Sequence, residues 1–144
     1  MKSITQEILR SIEENHLTGI SQLSPDEWES IYNNITAKYS DEGLSYHALW
    51  ERLNAHVGHE DKNGWKTICQ LIGNNGCLLL IIEDKSGFTL PDGATLELIL
   101  NDTTGFVFYV TNKNADYLMC FNDHDFIIGC GQAEEWIARH YSIA

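Results

Sequence analysis

The chain has 144 residues, 43% of them apolar, and a formal net charge of −12. That length and apolar content suit one folded domain with a sizeable core and exclude a disordered chain. A net field of this sign repels phosphate backbones and excludes nucleic acid as the expected partner.

The first residues alternate apolar and charged side chains, with no unbroken apolar stretch of the kind a signal peptide carries. Ile4, Ile8, Leu9 and Ile12 recur at helical spacing and predict a first helix through about Glu14. Asn15 to Ser21 reads as a turn. Ser24-Pro25-Asp26-Glu27 is the clearest local signal: Ser24 can cap a helix while Glu27 reaches back, and Pro25 suits the first helical position. With Trp28, Ile31, Tyr32 and Ile35 forming one apolar stripe, this predicts a helix from Pro25 to about Lys38.

Ser45 is read as the cap of a third helix buried through Leu49, Trp50 and Leu53 and ended by His56-Val57-Gly58-His59. Trp65, Ile68, Cys69, Leu71 and Ile72 predict a short fourth helix stopped by Gly73-Asn74-Asn75-Gly76. The period then changes. Cys77 to Ile82 is a continuous apolar run, expected as a central strand buried on both faces and far too short to span a bilayer. Glu83 to Gly87 reads as a turn. Ala94 to Leu100 can be a helix or a strand, and the short helix is favoured because Leu96, Ile99 and Leu100 share a face.

Phe106 to Val110 is aromatic and β-branched and predicts a strand. Tyr117 to Phe121 makes a hairpin with it across Asn112–Asp116. Phe126 to Cys130 is a further strand after the Asn122–Asp125 turn, and Gln132 to Tyr141 is an amphipathic final helix. Helices first, then a meander of strands, then one helix predicts an α+β domain over residues 1–144. Its N-terminal helices pack on one face of a small, mainly antiparallel sheet, with a C-terminal helix. No Gly-rich loop joins a strand to a helix as in a nucleotide site, and no cofactor is expected.

Metal and nucleophile patterns are sparse. His56 and His59 have H-x-x-H spacing and Cys120 and His124 have C-x3-H spacing, a mixed set that zinc accepts. A small zinc protein or hydrolase using those four residues is therefore the alternative reading. Without a CxxC pair, the bland reading is a helix-end histidine pair and a strand cysteine. Cys120 with His124 and Asp125, or Cys130 with His140, has the residue types of a thiol nucleophile. Yet Cys120 lies inside Leu118-Met119-Cys120-Phe121, where burial would blunt it. All four cysteines are expected as buried thiols in a reducing cytoplasm. Asp123 and Asp125 flank His124 and can tune the imidazole or bind a cation, or can simply satisfy turn backbone.

The charge is uneven. From Ser86 onward the only cations are Lys113 and Arg139, against eight carboxylates that include Asp116, Asp123, Asp125, Glu134 and Glu135. Such a surface fits a basic protein partner and speeds its encounter. The segment from about Trp50 to Gly131, with Trp50, the Phe106-x-Phe108-Tyr109 strand and His124-Asp125 before Gly129-Cys130-Gly131, resembles small bacterial immunity proteins of polymorphic-toxin and contact-dependent growth inhibition systems. That resemblance implies a non-catalytic protein that neutralises a cognate toxin. The acidic surface fits a toxin with a basic active-site or substrate-binding surface, as a nuclease that grips phosphates presents, and the absence of a signal-peptide pattern places the protein in the cytoplasm as an expectation. The expected toxin contacts are Asp116, Asp123, Asp125, Glu134 and Glu135, with Tyr117 as an aromatic anchor. No membrane partner is expected.

Overall fold

A computed structural model of the protein describes residues 3–40, 49–54, 56–103 and 105–142, with Leu49 and Arg52 as backbone only. The helices are α1 (Ile4–Glu14), α2 (Pro25–Tyr39), α3 (Gly64–Ile72), α4 (Gly93–Asn101) and α5 (Gln132–Tyr141). The strands are β1 (Ser21–Gln22), β2 (Val57–Glu60), β3 (Cys77–Ile81), β4 (Ser86–Leu90), β5 (Phe108–Thr111), β6 (Tyr117–Phe121) and β7 (Phe126–Gly131). A 3-10 turn covers Leu49–Arg52. None of the described helices is long and apolar enough to cross a membrane.

Local chemistry sets the helix starts. Ser24 accepts from the Glu27 N–H at 3.1 Å while its own N–H donates to Glu27 Oε1 at 2.8 Å, the reciprocal box expected from the sequence. The Ser24 backbone bond holds the Glu27 carboxyl below its ordinary range. Ser3 and Gln6 build the same device on α1, and Asp92 caps α4 by accepting from the Thr95 N–H at 2.8 Å.

The seven strands form one sheet in the order β1-β4-β3-β5-β6-β7-β2, with every pairing antiparallel. The fold is therefore α+β, with α1 and α2 preceding most of the sheet and α5 closing the chain. Pleating divides each inner strand between two cores. Cys77, Leu79 and Ile81 of β3 face a core shared with Ile8 of α1, Ile68 and Ile72 of α3, Leu96 and Ile99 of α4 and Ile137 of α5. Leu78 and Leu80 face the opposite way, onto Trp28, Tyr32, Ile35 and Tyr39 of α2. Both faces of the sheet are covered, so the one-sided sheet expected from element order is corrected to three layers. The unbroken apolar run of β3 is the consequence of that double burial.

Close approach is built with glycine. A Cβ on Gly93 would fall 2.0 Å from the Cys69 carbonyl oxygen, so α4 can start against α3 only without a side chain there. At the far side, Lys38 Nζ and the Tyr39 hydroxyl both donate to the Ala115 carbonyl, fixing the end of α2 to the β5–β6 turn.

Three further expectations are corrected. His56–His59 does not end a helix: Val57–Glu60 is an edge strand paired with β7, Gly58 opposite Ile128. The supposed turn Glu83–Gly87 gives way at Ser86 to β4, which pairs with β3 along its whole length. The aromatic strand begins at Phe108, leaving Phe106 outside the ladder. Ser45 and the start of the expected third helix lie outside the described residues.

Candidate functional site

The β6–β7 turn is held by one buried side chain. Asn122 is 4% exposed, and its Oδ1 accepts from the N–H groups of His124 (2.9 Å) and Phe126 (3.1 Å). Asp125 sits at φ 60°, a left-handed conformation that aspartate tolerates. Its carbonyl accepts from the Asp61 N–H at 2.8 Å, tying the turn to the end of β2. Asn122, not the two aspartates, is the polar side chain that satisfies this turn's backbone. Doing so leaves the side chains of Asp123, His124 and Asp125 exposed on a fixed frame.

Two clefts meet at that frame, and Asn122 lines both. The first, about 350 Å³, is walled by Trp65 of α3, Phe106, Phe108 of β5 and Phe121 of β6, with Asp123 and Asp125 among its lining residues. Phe106 meets Phe108 edge-on at 6.1 Å, and Phe108 lies 6.3 Å from Phe121, so the wall is a continuous aromatic surface. The second, about 570 Å³, lies between Trp50, His56, Gly58, His124 and Phe126. Trp50 is anchored by its backbone N–H, which donates to the Tyr109 hydroxyl at 3.0 Å, and its ring meets the His124 ring edge-on at 5.6 Å.

The other expected contacts are elsewhere. Asp116 precedes β6, whereas Asp123 follows it. Tyr117 pairs with Gly131 at one end of the β6–β7 ladder and Phe121 with Ile127 at the other. Asp116 accepts from Asn112 Nδ2 at 2.9 Å, and its N–H donates to Asn112 Oδ1 at 2.9 Å, so it is engaged within its own turn. Glu134 and Glu135 lie in the first turn of α5, and Glu135 pairs with Arg139 one helical turn on. The six expected contacts thus divide between two ends of one hairpin. Tyr117 is corrected outright as an anchor. It is 5% exposed, its ring is packed 5.0 Å from that of Trp136, and its hydroxyl donates to the Thr111 carbonyl.

The four residues of the metal alternative do not come together. His56 faces the second cleft with His124, while His59 stacks on Tyr141 of α5 at 4.0 Å. A separation of three places two side chains on opposite faces of an extended chain, whereas it would align them on a helix. Cys120 is fully buried in the core beneath α2. Among the described residues no three His, Cys, Asp or Glu side chains converge as a metal site would require. Burial also pushes the Cys120 thiol well above its ordinary range and raises Cys130 to about 12. A reactive cysteine needs the opposite.

The aromatic walls escaped the sequence reading. Trp65 and Phe106 were assigned to a buried helix face and to a strand, and only Phe106, standing next to Gly105 at an element boundary, hinted at another role. The chain matches no protein-family model, no curated protein and no solved structure.

Proposed function

We propose that the chain is an immunity-type protein. It binds a cognate toxin domain of basic surface, a nuclease, and covers the active-site or substrate-binding surface without making or breaking a bond. It acts in the cytoplasm. The observation that carries this reading is the pair of carboxylates, Asp123 and Asp125, at the lip of an aromatic cleft on a chain of net charge −12. Carboxylates steer a cationic partner from a distance, and aromatic surface supplies the contact energy that charge in water does not.

The test is association with the toxin domain encoded beside this chain's own gene. The two purified proteins should form a one-to-one complex in which nuclease activity is lost. The association rate should fall steeply as salt rises, because the Debye length shrinks below the separation of the approaching charges. A neighbouring toxin that stays fully active in the presence of excess protein counts against neutralisation. An association rate indifferent to salt counts against the electrostatic part.

A further inference from the structure

The charge at the aromatic cleft is largely uncompensated. Among the described residues Asp125 forms no ion pair, and Asp123 meets only the His124 ring, at 3.7 Å. Behind the two carboxylates the walls are Trp65, Phe106 and Phe121, so a visitor must be apolar along its length and cationic at a polar edge. The ring of Trp65 already accepts one cation, the ammonium of Lys66 at 5.4 Å from its centroid. A volume of about 350 Å³ is at the small end of binding clefts, room for one side chain and its flanking backbone.

We propose that this cleft is the receptor for a single arginine side chain of the basic partner protein. The methylene stem and the face of the guanidinium lie against the aromatic wall, and its N–H groups donate to Asp123 and Asp125. Arginine fits better than lysine because a planar, weakly hydrated guanidinium stacks on rings and forks onto carboxylates. The held turn matters here: Asn122 and the bond to Asp61 fix the backbone that carries both carboxylates before the partner arrives, so only their side-chain rotamers are left to be ordered on binding. This proposal rests on the toxin-binding reading and names the contact within it.

The experiment uses the intact protein and a capped Ala-Arg-Ala peptide, followed by NMR at low ionic strength. Localised shifts are expected at the Trp65 indole N–H and the Asn122 side-chain amide. The matching citrulline peptide, isosteric and uncharged, should give none. The double variant Asp123→Asn/Asp125→Asn should weaken arginine-peptide binding about tenfold. Asparagine tolerates the left-handed backbone at position 125, so the variant keeps its fold. Equal binding of the citrulline peptide, shifts centred elsewhere, or an unaffected double variant would each overturn the proposal. The two readings fail separately. If the neighbouring toxin is neutralised equally by the double variant, the arginine receptor is wrong and neutralisation stands. If the peptide binds as described while the neighbouring toxin stays active, the receptor stands and neutralisation is wrong.

Discussion

Asp116 and Asp123 bracket the same strand, β6, and so stand at opposite ends of it. The five residues of β6, Tyr117 to Phe121, span about 17 Å of extended chain. Two groups of carboxylates that look continuous in the sequence therefore present themselves to different parts of the surroundings. Replacing Asp123 and Asp125 by asparagine should slow toxin association about tenfold at low salt. Replacing Glu134 and Glu135 by glutamine should change it less than about twofold. Stopped-flow association of both double variants decides the matter, and the reverse ranking would move the contact surface to the α5 end.

Local patterns in this chain declare themselves in the sequence, and long-range pairings do not. The capping box at Ser24, the stripe Trp28-Tyr32-Ile35 and the run Cys77–Ile81 were legible because each is a local pattern with a local cause. β2 was not. At the sheet edge Gly58, His59 and Glu60 are all exposed, so no apolar alternation marks the strand. β4 opens on Ser86-Gly87, turn-like chemistry that its pairing with β3 overrides. For the site, the acids of the β6–β7 turn could be read directly. Their aromatic neighbours could not, because Trp65, Phe106 and Phe121 converge only through the tertiary fold.

Tyr117 is a core residue, and its variants should separate stability from binding. Tyr117→Ala removes a ring packed on Trp136 and should cost about 3–5 kcal/mol in denaturant unfolding. Tyr117→Phe loses only the hydroxyl bond to the Thr111 carbonyl, about 1 kcal/mol. Neither should alter the affinity of the folded protein for the toxin. A tyrosine-to-phenylalanine change that weakened binding at unchanged stability would return this residue to the surface.

The Tyr141 hydroxyl donates to Asp61 Oδ2 at 2.7 Å and is the main cause holding that carboxyl below its ordinary value of 3.8. The Asn63 N–H adds a second bond to the same group. A depressed carboxyl contributes stability that is present above the unfolded value and lost as pH falls through the folded one. Tyr141→Phe should therefore destabilise at neutral pH, by less than about 1 kcal/mol for a half-buried pair still screened by solvent. The difference from wild type should shrink as pH falls through the depressed folded value of Asp61, once the carboxyl is protonated in both proteins. Unfolding curves at several pH values read this directly. A difference constant down to pH 2 would mean that the hydroxyl acts through packing alone.

The cysteines give a final check on whether this scaffold has any nucleophile to offer. All four are buried, and burial raises Cys69, Cys77 and Cys130 to about 12 and pushes Cys120 up as well. That leaves the thiols protonated near neutral pH and without nucleophilic thiolate, before access is considered. A disulfide-exchange reagent should therefore label the native protein only on the timescale of opening, and label four thiols at once in denaturant. Because Cys120 lies under α2, its labelling rate should follow the stability of that helix, rising in Trp28→Ala, which unpacks the ring stacked on Tyr32. One equivalent reacting fast in the native protein would expose an activated thiol and reopen the catalytic reading of Cys120 beside His124.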